Sequence, residues 1–199
     1  KTTLMKEAVA KMEQAGKIVT VVAPTAQASR GVLKEEGFEN AETVTKFLTD
    51  ATMQEKVKGQ VLWVDEAGLL GTKDMTDLLD IATKQNAQLI LGGDTRQHAS
   101  VVRGDALRIL NTVAGIKTAE VSKIYRQKNE DYKAAVEDLS KGRVKEGFDK
   151  LDDMGAIISV DPMKPNEQMV ADYLDTLKKG KSAIVISPTH AQGEEATKE

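Results

Sequence analysis

Three apolar runs punctuate the chain, and each ends abruptly in residues suited to binding rather than packing. Ile18 to Ala23 stops at Pro24-Thr25, Val61 to Val64 (VLWV) stops at Asp65-Glu66-Ala67-Gly68, and Ala87 to Leu91 (AQLIL) runs into Gly92-Gly93-Asp94. A strand buried on both faces reads as continuous Val, Leu and Ile, and in parallel α/β sheets ligands collect just beyond the carboxyl ends of such strands. Helical spacing fills the intervals: Leu4 to Ala15, Thr25 to Glu36 up to Gly37, the short Thr43 to Leu48, Lys73 to Thr83 with Asp74 and Asp77 early in it, and Gly104 to Val113. Strands alternating with helices predict βαβ units, hence an open, doubly wound α/β fold with a parallel sheet and helices on both faces.

The texture changes after Arg126. A longer helical stretch, Asp131 to Lys150, is interrupted around Gly142, and two further strand candidates, Ala156 to Val160 and Ala183 to Ile186, flank a helix from Glu167 to Lys178. The boundary is expected near residues 126–130, with 1–127 as one domain and 128–199 as a second α/β unit begun and not completed. The terminal AQGEEATKE is polar enough for a frayed end and equally suits the start of a helix.

Composition narrows the chemistry. With no cysteine and only His98 and His190, disulfide staples and thiolate or histidine zinc sites have no material, so a metal should be oxygen-ligated. A formal net charge of −3 describes no basic coat, so any nucleic-acid contact must come from a local groove. At 4% aromatic residues, a stacking platform for single strands is poorly supported, and Trp63 reads as core filling. The start KTTLMKEAVAK has no signal-peptide character and no segment is apolar enough to span a bilayer, so a cytoplasmic protein without membrane contact is expected.

Each strand end admits a chemical and a plain reading. The chain opens Lys1-Thr2-Thr3 directly before a helix; in a phosphate-binding loop a lysine there reaches the β and γ phosphates and the next hydroxyl ligates Mg²⁺, while the plain alternative is an arbitrary edge. Asp65 at a strand tip suits the Mg²⁺ contact of a P-loop ATPase and Glu66 can position or activate the attacking water; alternatively Asp65 caps a turn and Glu66 is solvated. Gly92-Gly93-Asp94-Thr95-Arg96-Gln97 offers close backbone approach and, in Gln97, an amide able to sense a phosphate oxygen, or else an ordinary turn. Thr25 with Gln27, Ser29 and Arg30 suits a sugar-phosphate backbone, although Thr25 also suits an N-cap, and both can hold together. Arg126 suits an arginine that stabilises charge on a transferred phosphoryl group, or a surface arginine.

The order KTT, VVAPTAQASRGVL, VLWVDEAGLLG, LILGGDTRQHASV and IYRQ resembles the first motor domain of a superfamily 1 DNA helicase of the RecD-like branch, most like the helicase region of conjugative relaxases of the TrwC and TraI type. LSKGRVKEGFDKL and AIVISPTHAQGEEATKE resemble the start of the second motor domain of those enzymes. The resemblance implies a RecA-like P-loop NTPase fold that takes ATP and Mg²⁺, with a sequence starting inside the Walker A motif. It implies Lys1 as the phosphate-loop lysine, Thr2 and Asp65 as magnesium contacts, and Thr3, Gly93 and Asp94 beside the nucleotide. It further implies Glu66 as the base for hydrolysis, Gln97 as γ-phosphate sensor and Arg126 as the arginine reaching the γ-phosphate. Single-stranded DNA would meet Pro24, Thr25, Ala26 and Arg30, and a second segment, TVTKFL, through Thr43 and Thr45, where relatives often carry histidine in place of Thr45.

The expectation is therefore an ATP-dependent DNA helicase or translocase motor, moving 5′ to 3′ in conjugative transfer, whose partners are single-stranded DNA and the rest of a larger polypeptide. The phosphate-loop glycines and the later motifs of the second motor domain are absent from these residues, so the isolated chain is expected to be inactive. Alternatives are a degenerate module that binds single-stranded DNA without catalysis, a RecD-type exonuclease subunit, and a P-loop NTPase that does not touch nucleic acid.

Overall fold

A computed structural model describes residues 2–95, 104–121 and 128–198. The chain divides into two compact units, Lys1–Val121 and Ser122–Glu199. In the first, helix α1 (Thr2–Gln14) precedes strand β1 (Val19–Ala23), a π-helical segment (Gln27–Leu33), strand β2 (Glu42–Thr43), helices α2 (Val44–Thr49) and α3 (Ala51–Lys56), and strand β3 (Val61–Val64). A 3₁₀ turn (Ala67–Leu69), helix α4 (Thr72–Lys84), strand β4 (Gln88–Leu91) and helix α5 (Ala106–Thr112) follow.

The strands form one parallel sheet in the order β2-β1-β3-β4. Strand parity sorts the side chains into two cores, because neighbouring residues point to opposite faces. Val22, Leu62 and Val64 join Val44, Phe47, Met75, Leu78 and Leu107 on one face, under α2, α4 and α5. Val21 and Ala23 join Met5, Val9 and Leu33 on the other, with Trp63 packed against them. Both faces are covered, as the near-continuous apolar strands require, so the parallel, doubly wound α/β fold is borne out.

Local chemistry explains most boundaries. Thr43 caps α2 by accepting from Lys46 N at 3.1 Å, and Asp50, which breaks the chain between two helices, caps α3 by accepting from Met53 N at 3.1 Å. The helix expected over residues 25–36 forms, but its core is π-helical, and the Ser29 hydroxyl donates back to Thr25 O at 2.9 Å. Such i−4 back-bonding competes with the ladder, and π segments recur at functional positions.

The second unit is helical among the described residues: α6 (Glu130–Ser140), α7 (Val144–Asp153), α8 (Glu167–Lys178) and α9 (His190–Lys198). Helices α6 and α7 form a hairpin across Gly142, whose φ is +75°. The hairpin closes on Asp138, buried between Arg143 and Lys150, and on Gly147, where a Cβ would lie 2.6 Å from Leu139 Cγ. Lys150 and Arg143 hold the Asp138 carboxyl below its usual range. The strands expected at 156–160 and 183–186 are not formed. These segments have the β-branched residues but no partner strand among the described residues of the unit, and Ile184 and Ile186 stay 84% and 83% exposed. A parallel strand exists only through its neighbours' hydrogen bonds.

Candidate functional site

Parallel pairing brings every carboxyl strand end of the first unit to one edge of the sheet. At the centre is the end of β3. Asp65 N donates to Val22 O at 2.8 Å, extending the β1 ladder one step, and the Asp65 residue is 7% exposed. Glu66 then adopts the left-handed conformation, φ 52° and ψ 37°. For a residue with a Cβ that costs roughly 1–2 kcal/mol. Strain of this kind is kept where surrounding structure holds it, often at functional sites. It turns the chain out of the strand direction immediately after Asp65, separating the buried carboxylate from the half-buried one that follows.

Two backbone bonds lock this turn to the end of β4: Gly92 N donates to Val64 O and Ala67 N donates to Gly92 O, both at 2.8 Å. Glycine is needed on both sides of the contact. A Cβ at Gly93 would lie 2.7 Å from Leu107 Cδ2 and 2.9 Å from Gly68 N, and one at Gly68 would lie 3.2 Å from Asp94 O. The Asp65-Glu66 turn and the Gly92-Gly93-Asp94 turn are thus one interlocked piece, with Asp94 exposed at its rim.

The other end of the edge is built from side chains. Thr25 Oγ1 accepts from Ala28 N at 3.1 Å, so it caps the helix and stays exposed beside half-buried Pro24 and exposed Ala26. The pairing of Ala23 with Thr43 sets β2 beside this segment, and Thr45 is exposed in the first turn of α2. Glu42 accepts from Arg30 Nε at 3.2 Å and from Lys46 Nζ at 2.8 Å. Lys46 first, and Arg30 with it, holds the Glu42 carboxyl below its ordinary range. Neither Glu42 nor Lys46 stood out in the sequence; the signal was their i,i+4 spacing at the start of a short helix.

Helix α1 packs by Met5 and Val9 on the face that holds Trp63, and the short connection Ala15–Ile18 makes it antiparallel to β1. Its first turn, with Thr2 and exposed Thr3, therefore points toward the carboxyl edge. The structure brings together Asp65, Glu66, Gly93 and Asp94 around the β3–β4 end, and Pro24, Thr25, Ala26, Arg30, Thr43 and Thr45 around the β1–β2 end, while Thr3 is exposed in the first turn of α1, which packs against β1. Lys1, Gln97 and Arg126, and the Thr2 side chain, lie outside the described residues. Trp63 does fill the core as expected, but its Nε1 is buried without a hydrogen-bond partner.

The donor set suits magnesium shared with a phosphate. Mg²⁺ is usually held by one or two carboxylates plus substrate phosphates rather than by an all-protein cage. Asp65 offers one buried oxygen ligand, and among the described residues no group of three His, Cys, Asp or Glu could hold a metal by itself. Among the same residues no helix is long and apolar enough to cross a membrane.

A parallel sheet covered on both faces, with an acidic pair at a central strand end, defines a RecA-like P-loop NTPase fold. Residues 1–162 match the AAA domain family AAA_30, and the chain belongs to that family. It is 30% identical over 190 residues to the conjugal transfer protein TraA of Agrobacterium fabrum, covering 94% of this chain and 17% of that protein. It is 32% identical over 145 residues to a probable conjugal transfer protein TraA of Sinorhizobium fredii, covering 72% of this chain and 13% of that protein. The chain thus spans about a sixth of the first of these relatives. The fold matches a crystal structure of Bacteroides sp Pif1 in complex with ADP-AlF4, with a TM-score of 0.58, 17% identity, and coverage of 98% of this chain and 49% of that one. The expected kinship with proteins of conjugal transfer is borne out, and the expected RecA-like fold is matched by the Pif1 structure.

Proposed function

We propose that this chain is the ATP-hydrolysing module of a DNA motor in conjugative transfer, coupling hydrolysis to 5′ to 3′ movement on single-stranded DNA. The observation that carries the reading is the division of one sheet edge into an interlocked acidic end and a hydroxyl-and-cation end. A nucleotide and a DNA backbone each find suitable chemistry there, close enough for one to influence the other. The TraA relatives support the setting in DNA transfer.

Asp65 holds the magnesium contact together with the Thr2 hydroxyl, and Lys1 with Thr3 cradles the phosphates at the positive end of α1. Magnesium, when bound, supplies charge neutralisation for phosphoryl transfer. Glu66, turned out of the strand by its left-handed backbone, orients the attacking water and accepts its proton. Gly93 and Asp94 line the nucleotide side, Gln97 senses the γ-phosphate, and Arg126 compensates the charge that develops on it. Pro24, Thr25, Ala26, Arg30, Thr43 and Thr45 hold the DNA backbone. Residues 128–199 begin a second RecA-like domain, completed by the rest of a longer cytoplasmic polypeptide.

The deciding experiment is ATPase activity of the full-length polypeptide with and without single-stranded DNA, for the natural sequence and for Glu66→Gln. DNA-stimulated hydrolysis that is lost in the variant while ATP binding survives supports the motor. Absence of hydrolysis in both proteins with DNA still bound overturns it in favour of a binding module.

A further inference from the structure

At the β1–β2 end of the carboxyl edge, one carboxylate holds two cations drawn from two other elements. Glu42, the first residue of β2, accepts at Oε2 from Arg30 of the π-helical segment, whose Nε lies at 3.2 Å and Nη2 at 3.1 Å, and at Oε1 from Lys46 Nζ of α2 at 2.8 Å. The two cationic heads are therefore neighbours, one on each oxygen of a single group. Most ion pairs among the described residues join positions three or four apart in sequence, whereas this cluster ties three elements together. The Glu42 side chain is 18% exposed and those of Arg30 and Lys46 are about half exposed, so the carboxylate lies beneath and the cations lie outward. An ammonium has three N–H donors and a guanidinium five, and one carboxylate leaves several of them turned to solvent. Two positive charges against one negative also leave the cluster positive by one. The pairing of Val22 with Glu42 and of Ala23 with Thr43 sets it beside the chain that leaves β1 through exposed Thr25, and Lys46 follows exposed Thr45. An anion arriving from solvent meets both cations without displacing Glu42, and phosphate oxygens match the guanidinium fork.

We propose that Lys46 is a further backbone-phosphate contact on the path of single-stranded DNA, and that Glu42 is the positioning residue that aims Lys46 and Arg30 at it. Glu42 touches no DNA. Lying between the two cations, it keeps side by side two like charges that would otherwise repel and splay, and it restricts the freedom of two long side chains before DNA arrives. Preorganisation of that kind raises affinity by lowering the cost of ordering on binding. Both roles rest on the reading of the β1–β2 end as the DNA side of the edge. They also set a sign: removing a negative charge from a surface that grips an anion would by charge alone strengthen binding, and here it weakens it.

The test uses the full-length polypeptide and reads the oligo-dT concentration that gives half-maximal stimulation of ATP hydrolysis, over a series of salt concentrations. Lys46→Ala is expected to raise that concentration roughly tenfold, the scale of one charge-assisted hydrogen bond, and to lower the log–log salt slope by about 0.7, the share of one phosphate on a single strand. Glu42→Gln, which keeps the shape and removes the charge, is expected to raise it about two- to fivefold, the scale of exposed ion pairs. Added to a protein already carrying Arg30→Ala and Lys46→Ala, Glu42→Gln is expected to have no further effect, because its partners are gone. If Glu42→Gln does not fold, Glu42→Asp, which draws the carboxylate back by one methylene, is expected to act in the same direction. Stimulation at a lower oligo-dT concentration in Glu42→Gln, or an undiminished effect when both cations are absent, overturns the positioning role. An unchanged salt slope in Lys46→Ala overturns the contact. Either result leaves the DNA reading standing as long as oligo-dT stimulates the natural protein; absence of that stimulation overturns both.

Discussion

The two ends of the carboxyl edge are made in different ways. At the β3–β4 end, backbone hydrogen bonds of 2.8 Å and glycine contacts set the position of a buried aspartate and a left-handed glutamate. At the β1–β2 end, Arg30, Glu42 and Lys46 are held by side-chain ion pairs, with Arg30 and Lys46 about half exposed. The first arrangement is intolerant of added volume. The second tolerates volume and answers to salt and pH, because exposed ion pairs are weak and screened. Rigidity suits the step at which atoms must be placed for chemistry; adaptability suits a partner whose charged backbone is to be gripped and released.

The largest expected effect tests the rigid end. Glu66→Gln should lower DNA-stimulated hydrolysis by about 10²–10⁴-fold, the usual worth of a general base, with nucleotide affinity retained in an equilibrium binding assay. Gly93→Ala comes next: its methyl meets Leu107 and the Gly68 backbone, and urea denaturation should show a loss of about 1–3 kcal/mol from overpacking. Gly31→Ala makes the control, since no atom lies within 4 Å of a Cβ there and its backbone is not left-handed. If both glycine variants lose the same amount, the interlock is no tighter than an open position and the contrast between the ends collapses.

At the adaptable end, Arg30→Ala should reduce the salt dependence of single-stranded DNA binding by about 0.7 in the log–log slope, the share of one phosphate contact. The smallest effect concerns pH. The folded-state carboxyl of Glu42 is lowered from its ordinary value of 4.5. Its contribution is therefore complete above that value and is lost as the pH falls through the lower folded-state value. By the scale of surface pairs it amounts to about 1 kcal/mol or less. Thermal melts of Glu42→Gln should thus differ from the natural protein near neutrality and converge in acid.

Much of this was legible before any coordinates. The β1, β3 and β4 runs, α4 and α8 all followed from apolar spacing, and Asp65-Glu66 and Gly92-Gly93-Asp94 were marked as a site by their place after such runs. Strand β2 was not legible because two residues carry no periodicity, and α3 was hidden because Asp50 caps a new helix within what reads as one loop. The strands at 156–160 and 183–186 were misread because β propensity is satisfied only by partners. Within the site, residue identities were visible but conformations were not. Nothing in the letters requires Glu66 to be left-handed, and nothing in the composition shows that Trp63 brings an N–H into the core.

The joint between the turns after β3 and β4 has a kinematic consequence. Because Gly92 bonds to both Val64 and Ala67, and Gly93 abuts Gly68, no hinge can lie between the two turns. They form a single plate. A displacement imposed on Glu66 is passed to Asp94 through these shared bonds and contacts. Whatever pushes on one strand end is felt at the next without any intervening element having to unfold or rearrange.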